Sequence, residues 1–326
     1  MCVGATDAEE MLRSLGITAP TVTKESEGIN AVVGAEGGLG RAVVDALLKE
    51  SLKVRAVLLG PAKAGFQFSE GVETATADPL RPDSLANACA GAYTIYDCFE
   101  PGYKKWRELT SSVASRLVLA SIDGGTTLVL ASHLMRAESD NSKLENEVIA
   151  ANRSRLTRTV VVRIPQLYGP RVVNGLWQMI FESAIKGNKA HWMGNLNAPR
   201  SLLYVNDAAV AIVLLGRSLW GHGRVWTIAG PPPLTGRRFI ELAFMAAGRE
   251  PQFGSWGRGV VLTGSLLASN SKELLALPYD YYSPFVLDGS EFATAFPSWK
   301  YTPHEEAIKE TLGWYKSRST ANSEAP

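Results

Sequence analysis

The chain has 326 residues, of which 46% are hydrophobic and 20% charged, a composition that can bury one large core or two closely packed ones. The formal net charge of +1 excludes an electrostatic nucleic-acid binder, and no stretch is apolar for the length of a membrane span. Residues 1–27 lack the apolar core of a signal peptide, and the three cysteines lack the spacing of a disulfide framework or a metal site. We therefore expect a cytoplasmic protein without nucleic-acid, membrane or metal partners.

Apolar strands alternate with helices along the first half of the chain. Strands are predicted over residues 29–33, 53–59, 72–77, 92–98, 126–131 and 159–164, and helices over 41–48, 82–89, 106–119 and 142–152. Strands separated by helices of this length are typical of parallel β-α-β crossovers, and near-continuous apolar strands suit a sheet covered on both faces. The sequence therefore predicts an α/β fold, a doubly wound parallel Rossmann sheet with its ligand at the carboxyl ends of the strands.

The alternation breaks down after residue 170. Helices are predicted over 174–186, 207–216 and 237–247, strands over 202–205 and 224–228, and the segment 253–301 is rich in aromatic residues. These pieces predict a smaller C-terminal substrate-binding lobe. The expected domains are an N-terminal extension (1–27) with a short helix over 7–15, a Rossmann core (28–173, with 202–229 returning to it), a substrate lobe (174–201 and 230–316) and a flexible tail (317–326).

The turn between the first strand and the first helix carries three glycines, spaced three residues apart, at positions 34, 37 and 40. In a dinucleotide-binding loop the first allows a tight turn, the second lets the backbone approach a diphosphate, and the third lets the helix pack closely on the strand. Backbone N–H groups and the positive end of the helix then hold the phosphates. We expect a pyridine dinucleotide to be bound by Gly34, Glu36, Gly37, Gly38, Leu39 and Gly40.

The choice between NAD and NADP depends on the residues that follow the second strand. A preference for NAD usually needs an acid there, about 20 residues past the motif, to bind the ribose hydroxyls. The sequence Leu-Leu-Gly stands at 58–60 instead, which favours NADP over NAD and places Leu59 beside the adenosine. Lys63 or Arg55 would then meet the 2′-phosphate, although both also suit a solvated surface. Glu36 would repel that phosphate if its side chain points toward it.

Further segments stand in the order of one known family. They are Asp78 after the third strand, Arg-Ile-Pro-Gln-Leu-Tyr-Gly-Pro (163–170), Arg-Ser-Leu-Leu-Tyr-Val-Asn-Asp (200–207) and the closing stretch 301–315. Together with the glycine loop, they resemble the short-chain dehydrogenase/reductase superfamily in its extended or atypical branch, the group of NAD-dependent epimerases and dehydratases. The resemblance covers about residues 29–315. It implies that Asp78 contacts the adenine and that Pro165 lies beside the cofactor.

The catalytic residues of that family are a serine, a tyrosine and a lysine. Ser132, after the fifth strand, matches the serine that binds the substrate oxygen, and Lys143 matches the lysine that binds the nicotinamide ribose. The tyrosine position falls on Ser139, whose hydroxyl is too weak an acid to replace a phenol near neutral pH. Because the interval from Ser132 to Lys143 is shorter than the family usually shows, a plain surface lysine is the alternative interpretation. His133 is the first candidate for a substitute proton donor, and Tyr96, Tyr103, Tyr168 and water are the others. Asp97 and Glu100, after the fourth strand, are candidate polar contacts near the nicotinamide end.

The substrate contacts are expected from Tyr96, Tyr168, Trp177 and Arg200, with core packing as the alternative interpretation of the aromatic ones. We expect an oxidoreductase that acts on a carbonyl or alcohol of a mid-sized, partly apolar metabolite. Two alternatives stay open: an isomerase, dehydratase or cyclase without net redox chemistry, and a non-catalytic nucleotide-sensing regulator. Many relatives pair through helices that flank the sheet, so the resemblance also suggests a homodimer.

Overall fold

The computed structural model describes residues 28–59, 67–100, 106–134, 142–172, 174–218, 220–256 and 282–323. The strands are β1 Ile29–Val33, β2 Val54–Leu58, β3 Glu73–Thr76, β4 Ala92–Asp97, β5 Thr127–His133, β6 Arg158–Ile164, β7 Gln166–Tyr168, β8 Ala190–Met193, β9 Pro199–Arg200, β10 Leu202–Tyr204, β11 Arg224–Thr227, β12 Leu234–Thr235 and β13 Phe253–Trp256. The helices are α1 Gly38–Lys49, α2 Pro82–Cys89, α3 Trp106–Gly124, α4 Ser142–Arg153, α5 Gly175–Lys186, α6 Val205–Arg217, α7 Gly236–Ala247, α8 Ser290–Ala295 and α9 His304–Ser323.

The main sheet has seven strands in the order β11-β6-β5-β4-β1-β2-β3, and every neighbouring pair is parallel. The chain moves outward from β1 in one direction through β2 and β3, and then returns to the other side of β1 with β4. Between β1 and β4 the strand order therefore reverses, which opens a crevice at the carboxyl ends of these two strands. The predicted doubly wound parallel sheet is confirmed.

Each face of the sheet has its own hydrophobic core because the strands are apolar at consecutive positions. Val32 and Val162 point to the face covered by α1 and α6, and Val33 and Val161 point to the face covered by α2, α3 and α4. All four side chains are fully buried. The helices are therefore held on both faces by the same strands whose carboxyl ends form the candidate site.

A third core lies in the C-terminal lobe, between α5, α7 and α9. Trp177, Trp192 and Phe239 are fully buried there and contact one another ring to ring. Asn174 caps α5 by accepting a hydrogen bond from the backbone N–H of Trp177, and Thr235 caps α7 in the same way. The aromatic residues between α5 and α7 thus form a large part of this core.

Several element boundaries differ from the sequence prediction. The helix predicted over 106–119 continues to Gly124 and stops where Gly125 adopts a positive φ of 63°. Strand β5 extends to His133 rather than 131, because it continues to pair with β6 as far as Ile164. The short strands β7, β8, β9, β12 and β13 were not predicted, since their pairing partners lie far along the chain.

Residues 317–323 of the predicted tail belong to α9, which continues through Ser323. No glycine or proline interrupts the chain between Trp314 and Ser323, and the guanidinium of Arg318 lies 5.5 Å from the centre of the Trp314 ring, one helical turn away. Residues 324–326 and the N-terminal extension, with its predicted helix, lie outside the described residues. Within the parts of the chain that the structure describes, no helix is long and apolar enough to cross a membrane.

Candidate nucleotide-binding and active site

The glycine loop between β1 and α1 has a backbone that only glycine allows at two positions. Gly34 has a φ of +75°, and a Cβ there would lie 2.8 Å from the Cα of Phe99. A Cβ at Gly40 would lie 2.2 Å from the carbonyl oxygen of Gly34, so any side chain would push α1 away from the strand. The loop is closed by a hydrogen bond of 3.0 Å from the N–H of Gly37 to the oxygen of Gly34. The predicted tight turn and close helix packing are therefore both present.

Helix α1 begins at Gly38, directly above this loop. Its N-cap residue is Gly37, which has no side chain to cap the helix, and no acidic residue stands in its first turn. The N–H groups at the start of a helix lack partners within the helix and carry the positive end of its dipole. This arrangement, next to the crevice between β1 and β4, suits the diphosphate of a dinucleotide.

A carboxylate from the glycine loop lies at the end of β2, although no acidic residue directly follows β2 in the sequence. The Oε1 atom of Glu36 accepts a hydrogen bond of 3.0 Å from the backbone N–H of Leu59, the residue that follows β2. Glu36 itself is exposed on the glycine loop. Sequence reasoning included Glu36 among the loop residues, but the direction of its side chain became visible only in the folded chain.

The other residues predicted near the adenosine are separated by the structure. Asp78 is exposed after β3, where its Oδ1 accepts a hydrogen bond from the N–H of Leu80 at 2.9 Å. Arg55 lies at the opposite, amino-terminal end of β2 and donates to Glu73 and to the carbonyl of Ala90, so it cannot meet a 2′-phosphate at the carboxyl edge. That alternative was wrong because side-chain charge says nothing about which end of a strand a residue occupies. Lys63 lies outside the described residues.

Ser132 forms a hydrogen-bonded cluster with two charged residues at the ends of β5 and β6. Its hydroxyl donates to Oε1 of Glu145 at 2.6 Å, and Oε2 of Glu145 accepts two hydrogen bonds from the guanidinium of Arg163, at 2.6 and 3.0 Å. Ser132 and Glu145 are 4% and 1% exposed, whereas the side chain of Arg163 is 38% exposed. Sequence reasoning missed Glu145; its signal was an acid in the first turn of the helix that follows β5.

Lys143 and Glu145 point in different directions from α4. Residues two apart on a helix are rotated by about 200°, so they lie on nearly opposite faces. Glu145 faces β5 and contacts Ser132, and Lys143 is accordingly exposed. This geometry favours the surface-lysine interpretation over the ribose-binding role. The tyrosine position, Ser139, lies outside the described residues.

Three further predicted residues lie around the same edge. His133 is buried as the last residue of β5, and Pro165 is buried directly after β6. Asp97 ends β4 and accepts a hydrogen bond from the N–H of Phe99 at 3.2 Å. Burial raises the pKa of the Asp97 carboxyl to about 7, with that backbone hydrogen bond opposing the shift. A group that titrates in this range at a strand end is typical of functional sites, although structural carboxyls show it too.

The four residues predicted to contact substrate are all packed inside the protein. Tyr96 lies in the core under α6, where a Cβ at Gly216 would be 3.0 Å from its hydroxyl oxygen, so its predicted role is wrong. The side chain of Tyr96 alternates to the core face because it is the second-last residue of β4. The remaining three are buried as well: the Tyr168 hydroxyl is 2.8 Å from Nδ1 of His304, the Trp177 indole donates to the oxygen of Leu167, and the Arg200 guanidinium lies over the Phe285 ring.

The fold and the loop together define a protein with a Rossmann-type NAD(P)-binding core and a C-terminal lobe. Residues 34–190 match the model of a family described as NAD(P)H-binding. The matched segment begins at the first glycine of the loop and ends at the first residue of β8. No curated protein matches the sequence.

Solved structures with the same overall fold include several epimerases. The UDP-glucose 4-epimerase of Thermus thermophilus, in complex with NAD, is 18% identical and covers 88% of this chain and 99% of its own, with a TM-score of 0.71. The epimerase of Methanothermobacter thermautotrophicus is 11% identical over 92% of this chain and 95% of its own, with a TM-score of 0.76. The UDP-N-acetylglucosamine 4-epimerase of Methanobrevibacter ruminantium is 16% identical over 90% and 99%, with a TM-score of 0.71.

These likenesses extend over both the sheet and the lobe. At such low identity they show a shared fold, which is the fold that the resemblance to the extended short-chain dehydrogenase/reductase superfamily implied. A shared fold does not determine the reaction, which depends on the residues of this chain's own site.

Proposed function

We propose that the protein is an NAD(P)-dependent enzyme of the extended short-chain dehydrogenase/reductase type, acting on a carbonyl or alcohol of a mid-sized metabolite. The observation that carries this proposal is the glycine loop, whose backbone leaves no room for side chains at Gly34 and Gly40 and whose helix start has no side-chain cap. The match to an NAD(P)H-binding family supports it, and so does the solved complex of the Thermus thermophilus UDP-glucose 4-epimerase with NAD.

The bound dinucleotide would supply the acceptor or donor of a hydride. The chain's own residues would bind and orient it: the glycine loop and the start of α1 would hold the diphosphate, Asp78 would contact the adenine, and Pro165 would lie beside the cofactor. Closure of the crevice by the lobe would exclude water from the reacting carbon. We do not extend the proposal to a partly apolar substrate, because the aromatic residues behind that expectation, among them Trp177 and Trp192, pack the core of the lobe.

A substitute for the missing tyrosine is required, since no tyrosine stands between Tyr103 and Tyr168. We propose that a proton moves through Ser132 to Glu145. In alcohol oxidation the substrate hydroxyl would give its proton to the Oγ of Ser132 while the Ser132 hydroxyl proton passes to Oε1 of Glu145, along a contact of 2.6 Å. His133, the candidate favoured by the sequence, adjoins Ser132 and is the competing donor.

Two measurements test the proposal in order. Isothermal titration with NAD, NADP and their reduced forms should show binding, and a panel of carbonyls and alcohols should then change the absorbance of the nicotinamide. Ser132→Ala and Glu145→Gln should each lower kcat by about a hundredfold with little change in nucleotide affinity, in the range that general acid–base groups contribute. If His133→Ala abolishes turnover while Glu145→Gln does not, the proton passes through the imidazole instead.

A reaction without net redox change is the second candidate, and the three solved neighbours named above favour it because they are epimerases. An isomerase, dehydratase or cyclase would convert its substrate with the nicotinamide unchanged at the end of each turnover. Product formation with constant nicotinamide absorbance would support this candidate over the first.

A non-catalytic nucleotide-sensing regulator is the third candidate. It is favoured by Ser139 at the tyrosine position and by the exposure of Lys143. Tight nucleotide binding with no turnover on broad panels, together with a protein partner recovered by pull-down, would support it.

A homodimer and a cytoplasmic location are also proposals. The first is motivated by the superfamily, whose members often pair through helices that flank the sheet, and the second by the cysteine content. Light scattering on the purified protein tests the homodimer, and fractionation of cells that produce it tests the location.

A further inference from the structure

A glutamate of the glycine loop lies where the second strand ends, and this position bears on which dinucleotide fits. We infer that Glu36 takes the place of the acid that follows β2 in NAD-binding proteins, and that it makes this protein select NAD over NADP. The inference rests on the proposed nucleotide site. It reverses the preference for NADP that the sequence suggested from the residues 58–60 alone.

The glycine loop is fixed against β2 by backbone hydrogen bonds. The N–H groups of Gly34 and Ala35 both donate to the carbonyl oxygen of Val57, at 3.0 and 3.3 Å. Glu36 follows directly, and its Oε1 accepts the N–H of Leu59 at 3.0 Å. The loop backbone is therefore held to Val57, the second-last residue of β2, and the Glu36 carboxylate is held to Leu59, the residue after β2.

The end of β2, where the Glu36 carboxylate lies, is the position at which the adenosine ribose would bind. When a diphosphate lies at the start of a Rossmann helix, the adenosine ribose reaches the end of the second strand, where an acid binds its hydroxyls in NAD-dependent proteins. An ionised carboxylate has two oxygens and accepts about four hydrogen bonds. The single bond from Leu59 thus leaves Glu36 with capacity to accept a hydrogen bond from the ribose 2′-hydroxyl, while a phosphate there would meet a like charge.

The charged residues around the end of β2, called this corner below, bear on the same choice. Asp78, after β3, adds a second carboxylate on the same edge of the sheet. Arg41, in the first turn of α1, donates to the carbonyl of Gln67 and lies 5.2 Å from the centre of the Phe68 ring, so its guanidinium is directed toward the 67–68 segment. Arg55 lies at the far end of β2, paired with Glu73 at 2.8 Å. The described residues at this corner therefore favour a neutral ribose over a phosphorylated one.

The test is a titration of two ligand pairs, with binding as the readout. NAD and NADP form one pair; ADP-ribose and its 2′-phosphate, which have no nicotinamide, form the other and remove any contribution from the active site. We expect the unmodified protein to bind the ligands without a 2′-phosphate about tenfold more tightly or better. Glu36→Gln, which keeps an oxygen for Leu59 but removes the charge, should reduce this ratio several-fold, and Glu36→Arg should reverse it.

Glu250→Gln is the matched control, because Glu250 is an exposed acid of the lobe and its change removes the same charge elsewhere. It should leave the ratio unchanged, and thermal melts should show that all variants are folded. If the unmodified protein binds NADP as tightly as NAD, or if Glu36→Gln leaves the ratio unchanged, the inference fails while the nucleotide site stands. If neither dinucleotide binds at all, the proposed function fails as well.

Discussion

Two regions on the carboxyl edge of the sheet, one at β1 and one at β5, differ in what holds them in shape. In the β1–α1 region, the geometry is set by the backbone: Gly34 and Gly40 are required because a Cβ would strike other main-chain atoms. In the β5–α4 region, the geometry is set by side chains, in the contacts of Ser132, Glu145 and Arg163. The comparison teaches that the geometry of the loop depends on residues without a Cβ, whereas the geometry of the Ser132 cluster depends on side chains that single substitutions can remove.

The largest effect is expected from Gly40→Ala. The added Cβ would lie 2.2 Å from the Gly34 oxygen, so α1 must shift, with a loss of stability on the order of 3 kcal/mol and loss of nucleotide binding. Gly313→Ala is the matched control, since nothing lies within 4 Å of a Cβ there and α9 should gain about 1 kcal/mol from the better helix former. Urea unfolding and nucleotide titration measure both. Binding that survives Gly40→Ala would contradict the view that backbone packing determines the geometry of this region.

A smaller effect is expected in the other region from Glu145→Gln. The change removes the ion pair with Arg163, whose side chain is partly exposed and can be hydrated, so we expect a loss of about 2 kcal/mol rather than the larger cost of a stranded buried charge. Glu147→Gln, on the exposed side of the same helix, should change stability by less than about 0.5 kcal/mol. If urea unfolding shows equal losses of unfolding free energy in the two variants, the contacts of Glu145 with Ser132 and Arg163 do not stabilise this region.

In contrast to both regions of the sheet, the C-terminal lobe contains a buried histidine that should make stability depend on pH. His304 is buried with Nδ1 2.8 Å from the Tyr168 hydroxyl and Nε2 3.1 Å from the oxygen of Pro232, and burial lowers the pKa of its imidazole. Below about pH 6.5 the unfolded chain binds a proton that the folded chain resists, so stability should fall as the pH decreases through that range. His304→Gln should flatten this dependence in thermal melts at pH 5 to 8. An unchanged slope would mean that other groups carry it.

The smallest effect is expected from Asp45→Asn. Asp45 and Arg171 form an ion pair of 2.6 Å between α1 and the segment after β7, with side chains 43% and 39% exposed. Exposed pairs contribute about 0 to 1 kcal/mol, and salt screens them. Urea unfolding should therefore show a change below 1 kcal/mol, and nucleotide affinity should be unaffected. A large loss of affinity would show that this side-chain contact, and not the backbone alone, supports the glycine loop.

Particular elements show how far sequence reasoning reached. The helix over 82–89 and the strand over 29–33 have the bounds that local patterns predicted, because proline at the helix start and a mostly apolar run that ends at a glycine turn are local signals. Tyr96 was misassigned because a strand residue's face depends on its register with the rest of the sheet. Glu145 was missed because its importance arises from contacts with β5 and β6, which the linear sequence keeps apart.

The sequence by itself determined the Rossmann sheet and the glycine loop, since strand periodicity and the need for residues without a Cβ act within a few positions of the chain. Only the tertiary structure decided where the charges lie: Glu36 reaches the end of β2, Arg55 is placed at the opposite end, and Lys143 faces solvent. The physical reason is that a side chain's partners are chosen by helix rotation and strand register, which are settled when distant segments pack.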